Sequence, residues 1–540
     1  MCNMSFLPPP KILFLLFVIN KVLAQRVIET ALGKVEGKTI STPQGKKVDV
    51  FYGIPYAQPP VGSLRFRYPV PISPWNDTLK ADVKPHSCWQ TLDTVFGKFE
   101  GSDMWNANTD MNEDCLKLNI WVPHPYPTSS AVLVWIYGGG FYSGTSTLDV
   151  YDGEILATEG EIIIVSFNYR VGPFGFLYFG TSDAPGNAGM FDIIESLKWI
   201  RNNIKSFGGD PNRVTLFGES AGAVAVNLLQ MSCYSRHLFQ NAILQSGSAT
   251  SSWATASPAR MKDIGFKLAS SLKCDKNKNN CKELIQCLRN KTASEILDVP
   301  LDVQELIEFA FVPVIDGEFL EKTPLEYISS GDFKEGPILA GINTEEGSYF
   351  LIYSFGELLP KKDEVTLSKE QFLSLLPKIR HSFDNITKIL EFQYKNESNT
   401  YLDALDKLVG DLYFTCPVNE IMNSFANANI SNLYMYLFTH RSSKNPWPKW
   451  MGVMHGDEIP YVFGQPYLHE NYTDEEKDLS LAMIKYWSNF AKTGNVNSPQ
   501  KLEVNWPSYE IADKKYVTLG PERTVGEKWR ESFCDFLKTI

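Results

Sequence analysis

Residues 213–231, RVTLFGESAGAVAVNLLQM, read as a strand, a sharp turn and a helix, and they decide the fold. Apolar and β-branched residues at 213–217 predict a buried strand, and 221–231 has helical periodicity. Between them, GESAG at 218–222 fits a nucleophile elbow, in which small residues let two backbones approach and expose the serine hydroxyl. An accidental Gly-x-Ser-x-Gly turn is the alternative. The strand–turn–helix context favours Ser220 as a nucleophile.

Other parts of the chain repeat this alternation of apolar runs and helical patterns. Continuous apolar runs fit strands that are covered on both faces. Such runs lie at 131–137, 162–167, 338–340 and 433–438. Helical patterns lie between them, as at 190–206, and this alternation indicates an α/β fold with a mostly parallel central sheet flanked by helices. No linker, charge block or repeat interrupts the sequence, so a single large domain, residues 25–540, is predicted.

The N-terminus has the pattern of a signal peptide. Lys11 precedes an apolar run at 12–19, and Ala24 offers a small residue for cleavage. A membrane anchor is the alternative, but the run is too short to span a bilayer comfortably. We therefore predict that residues 1–24 are removed and that the protein is secreted to the extracellular space.

The number of cysteines and the N-glycosylation sequons also indicate a secreted protein. Eight of the nine cysteines follow residue 24, and an even number in a secreted chain indicates disulfides. Six potential N-glycosylation sequons begin at Asn76, Asn290, Asn385, Asn396, Asn429 and Asn471.

The formal net charge of −11 argues against a nucleic-acid partner. It suits a cationic substrate, although many secreted proteins are acidic for solubility alone.

A second glycine motif offers donors for a developing oxyanion. The triplet Gly138-Gly139-Gly140 follows the predicted strand that ends at residue 137. Its amides, with the Ala221 amide at the start of the helix, predict an oxyanion hole. A flexible glycine turn is the alternative interpretation. It is less favoured because the triplet and the Ser220 elbow occur in one chain in this order.

The serine needs a histidine base, which in turn needs a carboxylate to orient it. Among seven histidines, His455 lies in a short apolar approach to a glycine turn, but composition does not rank it above His440. Glu346 follows a predicted strand and turn, and its neighbour Glu345 is nearly as plausible. The order serine, acid, histidine is typical of α/β-hydrolases.

These segments resemble the cholinesterase and carboxylesterase family from about Val27 to Leu537. The stretches that carry the resemblance are FYGIPYA at 51–57, EDCL at 113–116, the Gly138 triplet, the Ser220 elbow, FVPVIDG at 311–317, EEGS at 345–348 and GVMHG at 452–456. The resemblance implies an α/β-hydrolase fold, with Glu346 as the acid and His455 as the base. It also implies disulfides Cys88–Cys115, Cys274–Cys287 and Cys416–Cys534, and leaves Cys233 and Cys281 open as a fourth bridge or free thiols. No metal or cofactor is expected.

The resemblance further implies a choline ester as the small-molecule substrate, with acetylcholine preferred. The residues implied for the choline side are Trp105, Tyr349 and Glu219, and Tyr151 and Phe350 are implied as further substrate-binding residues. Those implied for the acyl pocket are Trp253, Phe309 and Ile307. Because Ile307 stands where a phenylalanine is expected, we expect propionylcholine and butyrylcholine to be tolerated as well.

A rim at the mouth of the site is implied by Asp93, Tyr142 and Tyr353. The chain ends at Ile540 without a cysteine-bearing tail or a lipid-anchor signal, so we expect no membrane anchor and a monomer, with a non-covalent dimer left open.

Two other functions stay open. One is a general carboxylesterase for neutral esters, and the other is a cholinesterase-like binding or adhesion protein without catalysis.

Overall fold

The computed structural model describes residues 25–275, 280–301 and 303–540. Across these ranges most strands join one 13-stranded sheet with the order β1-β2-β3-β5-β7-β6-β10-β11-β12-β13-β14-β15, in which β4 pairs with β2, while β8 and β9 pair separately. The strands are β1 (Gln25–Thr30), β2 (Gly33–Ser41), β3 (Lys47–Pro55), β4 (Leu79–Lys80), β5 (Lys117–Pro123), β6 (Ser130–Ile136), β7 (Ile163–Phe167), β8 (Tyr178–Thr181), β9 (Ala184–Pro185), β10 (Gly209–Glu219), β11 (Asn241–Gln245), β12 (Ile338–Asn343), β13 (Leu433–Phe438), β14 (Lys515–Leu519) and β15 (Val525–Glu527).

Helices cover the sheet. They are α1 (Glu100–Asp103), α2 (Glu154–Gly160), α3 (Gly172–Phe176), α4 (Ala188–Asn203), α5 (Ala221–Met231), α6 (Pro258–Ser271), α7 (Cys281–Arg289), α8 (Ala293–Leu297), α9 (Pro324–Ser329), α10 (Ser348–Ser354), α11 (Lys369–Ile379), α12 (Thr387–Lys395), α13 (Tyr401–Gly410), α14 (Cys416–Asn427), α15 (Ile459–Val462), α16 (Gln465–Leu468), α17 (Asp474–Thr493) and α18 (Glu531–Leu537). A π-helical turn, Asp411–Thr415, joins α13 to α14.

The centre of the sheet is parallel. From β7 through β14 every neighbouring pair runs in the same direction, whereas β1, β2, β3 and β5 at one edge and β15 at the other pair antiparallel, and the short β4 pairs parallel with β2. All residues of β6, β7, β11, β12 and β13 are buried, as expected for strands that helices cover on both faces. The predicted α/β-hydrolase fold with a mostly parallel central sheet is confirmed.

Most element boundaries differ from the sequence prediction by a few residues, and two of these differences have a clear physical reason. The strand predicted at 213–217 is longer, Gly209–Glu219, because it pairs on one side with β6 and on the other with β11. The helix predicted at 190–206 ends at Asn203 and continues as a 3₁₀ turn, Ile204–Phe207, before the left-handed Gly208. A tighter last turn of this kind is common at helix ends.

Parallel pairing brings the functional segments to one edge. The strands β6, β10 and β12 end directly before the Gly138 triplet, Ser220 and the turn that carries Glu346. Because carboxyl ends of parallel strands meet at the same edge of a sheet, segments far apart in sequence converge there.

Covalent and surface features agree with several expectations. The three expected disulfides are present, whereas Cys233 is an exposed free thiol and Cys281 a partly exposed one. Five sequon asparagines, Asn76, Asn290, Asn396, Asn429 and Asn471, have exposed side chains. In the described part of the chain, no helix has the length and apolar character needed to cross a membrane. The predicted signal peptide, residues 1–24, lies outside the described residues.

Candidate active site

The turn between β10 and α5 holds Ser220 in a strained conformation. Its φ of 56° is unusual for a residue other than glycine. A Cβ at Gly218 would come within 2.6 Å of the carbonyl oxygen of Ile136, and one at Gly222 within 2.0 Å of the same atom. Only glycine fits at these two places, so the GESAG spacing is a direct requirement of packing α5 against β6.

The side chains of His455 and Glu346 form a closely bonded pair. His455 Nδ1 donates to Glu346 Oε2 over 2.6 Å, although the two residues are 109 positions apart. Glu346 Oε1 accepts from Ser246 Oγ at 2.5 Å and from the Asn343 amide at 2.7 Å. With its carboxylate fixed by three donors, Glu346 can hold the imidazole in one orientation and stabilise its cation.

The other imidazole nitrogen faces a second carboxylate. His455 Nε2 lies 3.1 Å from Glu219 Oε1, but the two atoms are not aligned for a hydrogen bond. Ser220 and His455 line the same cavity, and no hydrogen bond joins their side chains among the described residues. Catalytic hydrogen bonds often tighten only when substrate binds, so the arrangement leaves Nε2 available to the serine.

Burial and charge shift the protonation of this pair. Burial raises the pKa of Glu219 to about 8, and His455 acts against that shift. Burial alone would lower the pKa of His455, but the carboxylates of Glu219 and Glu346 outweigh it and raise the pKa to about 9. The imidazolium is therefore strongly stabilised, as a base that must carry a proton during a reaction requires.

Three backbone amides near the serine have no acceptor among the described residues: those of Gly139, Gly140 and Ala221. The two glycines have φ values of 99° and 59°, a region that L side chains rarely adopt. A Cβ at Gly138 would lie 3.0 Å from the Ser220 Cβ, so the triplet passes directly beside the nucleophile. Free amides at this position can donate to an oxyanion.

A cavity of about 120 Å³ opens over Ser220. Six aromatic residues line it: Trp105, Tyr142, Tyr151, Phe309, Tyr349 and Phe350. Glu219 is the only carboxylate in the lining, and no lysine or arginine of the described residues contributes to it. The cavity therefore combines aromatic faces with one acidic side chain, and its chemistry suits a cation.

Trp105 and Glu219 converge at the floor of the cavity. A Cβ at Gly456 would lie 3.6 Å from the Trp105 ring and 3.8 Å from Glu219 Oε1. Gly456, with φ of 85°, keeps the space between indole and carboxylate open next to His455. Tyr349 lines the same cavity, so the expected choline-side residues meet beside the nucleophile.

The expected acyl-pocket residues are divided between the cavity and the layer behind it. Phe309 lines the cavity, whereas Trp253 and Ile307 do not and are 3% and 2% exposed. Trp253 packs edge-on against Phe309, with ring centroids 5.8 Å apart, and donates through Nε1 to the Tyr413 carbonyl. Trp253 thus supports the aromatic ring that faces the substrate space.

Two of the three expected rim residues, Asp93 and Tyr353, are joined by a hydrogen bond. Tyr353 donates its hydroxyl to Asp93, and the hydroxyls of Tyr349 and Tyr353 are 3.3 Å apart. Tyr142 is 47% exposed and packs against Phe309, with centroids 5.5 Å apart. Through Tyr353 and Tyr349, these contacts link the partly buried carboxylate of Asp93 to the aromatic wall of the cavity.

Sequence reasoning missed two groups. Phe414 packs against the imidazole of His455, with centroids 4.4 Å apart, from the π-helical turn after α13. Glu458 is fully buried behind the site and accepts from Gln245 and Asn343. Neither had a sequence signal: a π turn has no periodicity of its own, and Glu458 is one acid in a mixed stretch.

Comparisons with known proteins agree with this geometry. The sequence model of the carboxylesterase family matches residues 24–537. An acetylcholinesterase of Bungarus fasciatus is 45% identical over 521 residues, which cover 94% of this chain and 85% of that protein. An acetylcholinesterase of Danio rerio is 42% identical, with 96% and 89% covered, and a cholinesterase of Mus musculus is 42% identical, with 94% and 86% covered.

Proposed function

Because this chain belongs to the carboxylesterase family, we propose that its cavity hydrolyses acetylcholine to choline and acetate through Ser220, His455 and Glu346. The chain is a serine carboxylic ester hydrolase of the cholinesterase type. The observation that supports a choline ester is the cavity itself, in which the described residues place six aromatic side chains and one carboxyl group, but no lysine or arginine, around the serine. A quaternary ammonium has no N–H group and donates no conventional hydrogen bond, so aromatic faces are its best partners.

Acylation begins when Ser220 Oγ attacks the ester carbonyl carbon and His455 Nε2 takes the hydroxyl proton. The amides of Gly139, Gly140 and Ala221 donate to the oxygen that becomes negative. The bond to the choline oxygen then breaks, and that oxygen receives the proton from His455. Acetyl-Ser220 and free choline are the products of this half-reaction.

Deacylation repeats the sequence with water. His455 takes a proton from water as the water oxygen attacks the acetyl carbon, and it returns that proton to Ser220 Oγ when the acyl bond breaks. Glu346, fixed by Ser246 and the Asn343 amide, keeps Nδ1–H oriented in both halves. Every bond and proton is accounted for by these side chains and water.

Export remains part of the proposal. We infer that residues 1–24 are a signal peptide and that the enzyme acts outside the cell, where the three disulfides are stable. The exposed sequon asparagines are accessible to glycosylation.

The proposal is tested by two substrates that differ only in charge. Acetylthiocholine and 3,3-dimethylbutyl thioacetate have nearly the same shape, but carbon replaces the charged nitrogen in the second. We expect kcat/KM to be about 30-fold higher for the cation, because a desolvated cation–π contact contributes about 2 kcal/mol. Equal values for the two esters would favour a general carboxylesterase.

The pH profile depends on Glu219. Its negative charge stabilises protonated His455, so the neutral base forms only at higher pH. Glu219→Gln removes that charge, and we expect the acidic limb of kcat/KM to move to lower pH by about 1 unit or more. Phenyl acetate is the substrate, because a neutral ester does not need Glu219 for binding.

Asp93→Asn is the control for this pH experiment, because Asp93 bonds to Tyr353 at the rim and is not among the groups that shift the pKa of His455 most. Its profile should match the wild type. A Glu219→Gln profile that stays in place, or moves to higher pH, would contradict the assigned electrostatic role.

A further inference from the structure

The segment 91–100, here called the rim segment, is mostly exposed and is held by a few specific contacts, among them two hydrogen bonds between the Asp93 backbone and the Asn106 side chain. It contains no strand, and all of its residues are exposed except Asp93, Phe96 and Phe99, which are partly buried. A segment with so little buried surface opens at low free-energy cost unless specific contacts hold it. Its position matters because it carries Asp93 and leads through α1 to Trp105.

The two phenylalanines pack on one tryptophan. Phe96 and Phe99 meet Trp447 edge-on, with centroids 5.2 and 4.8 Å apart, and Phe96 also meets Tyr353 at 4.9 Å. Phe99 begins α1, and its carbonyl accepts from the Ser102 and Asp103 amides. A displacement of Phe99 therefore displaces the turn before Trp105.

The side chains around α1 are tightly packed. A Cβ at Gly101 would come within 2.5 Å of Trp447 Nε1 and 2.6 Å of Phe99 Cε1. Backbone and rings are in direct contact here, so Phe99, α1 and Trp447 move as one unit.

One cation covers this aromatic pair from outside. Lys361 Nζ lies 3.5 Å from the centroid of Phe99 and 5.4 Å from that of Phe96, within the range of a cation–π contact. Its loop is anchored on both sides, because Leu359 is fully buried and Asp363 accepts from the Lys449 amide at 2.9 Å. Lys361 itself is exposed, so this is a surface cation–π contact made from an anchored loop.

We propose that Lys361 is a positioning residue that clamps Phe96 and Phe99, and through them holds the rim segment where it presents Asp93 and Trp105 to a cationic substrate. The kinetic part of this proposal rests on the proposed function. The structural part does not, since it concerns only the opening of residues 91–100.

Trypsin reports that opening directly. Lys98 is exposed within the rim segment, and the Cys88–Cys115 disulfide keeps both fragments attached after cleavage at this bond. Lys361→Met retains the aliphatic stem and loses the charge, and we expect about two- to fivefold faster cleavage after Lys98, as an exposed cation–π contact predicts. Lys361→Arg should restore the wild-type rate, because a guanidinium also stacks on aromatic faces.

The neighbouring lysine is a matched control. Lys362 is exposed and has no ring contact or ion pair among the described residues, so Lys362→Met changes the net charge equally without touching the clamp. Equal cleavage rates at Lys98 for the two methionine variants would overturn the proposal. So would an arginine variant that is cleaved as fast as Lys361→Met.

Kinetics separate positioning from general stability. We expect Lys361→Met to raise KM for acetylthiocholine about two- to fivefold and to leave kcat and the hydrolysis of phenyl acetate unchanged. An unchanged KM together with faster cleavage at Lys98 would overturn the link to substrate binding. If the wild type does not hydrolyse acetylthiocholine, the proposed function fails, while the cleavage rates still test the clamp.

Discussion

Ser220→Ala is expected to lower kcat for every ester by at least about 10⁵-fold, because without the hydroxyl no acyl-enzyme forms and only the amides and the binding walls still act. Folding should be almost unaffected. The Ser220 hydroxyl has no hydrogen bond among the described residues and is 8% exposed, so its removal leaves no buried partner unsatisfied. Alanine also experiences the same backbone strain as serine at this φ.

The measurement is steady-state hydrolysis of acetylthiocholine and phenyl acetate, together with thermal unfolding. Ser232→Ala is a matched control, because Ser232 follows the last residue of α5 just as Ser220 precedes the first, and its hydroxyl is buried without a partner. This control should retain full activity. A Ser220→Ala protein that folds and still turns over either ester at more than trace rates would remove Ser220 from the mechanism.

The elbow was predictable because its requirements are local. The need for glycine at 218 and 222 arises from contacts of a strand with the helix that follows it, so the spacing in the sequence records the geometry. The parallel sheet was predictable for the same reason, since strands covered on both faces require continuous apolar runs.

The base and the acid were not decided by local pattern. His440 bonds to Glu476, on α17, whereas His455 bonds to Glu346. Glu345 accepts from the Val453 amide, so two adjacent acids serve different partners. Which acid faces the histidine depends on the turn after β12 and on contacts more than 100 residues apart in sequence. Resemblance to a family supplied what periodicity and composition lacked.

The expected acyl-pocket residues show a different limit of prediction from sequence. Trp253 and Ile307 were expected at the pocket wall, and the structure places both outside the residues that line the cavity. A sequence match identifies which position of the chain corresponds to a family residue. It does not determine the rotamer of that side chain, or whether the side chain lines the cavity or lies behind the lining. The lining residue Phe309 and its support Trp253 cannot be distinguished until their contacts are known.

Trp105→Ala is expected to lower kcat/KM for acetylthiocholine by about 30-fold or more, since the indole face is the main partner that the cavity offers a quaternary ammonium beside Glu219. Trp105 is only partly buried and lines the cavity, so the loss arises at the site rather than in the core. Hydrolysis of 3,3-dimethylbutyl thioacetate should fall far less, because an uncharged head group gains no electrostatic attraction from the ring.

Trp105→Phe is the matched control, because a smaller aromatic ring keeps part of the attraction and should give an intermediate value for the cation. The ratio of the two kcat/KM values isolates the charge of the substrate from any general loss of enzyme. If Trp105→Ala lowered both esters equally, the indole would act only by shaping the cavity. The aromatic wall would then have no role in selecting a cation, and Glu219, the one carboxylate in the lining, would have to account for any preference that remained.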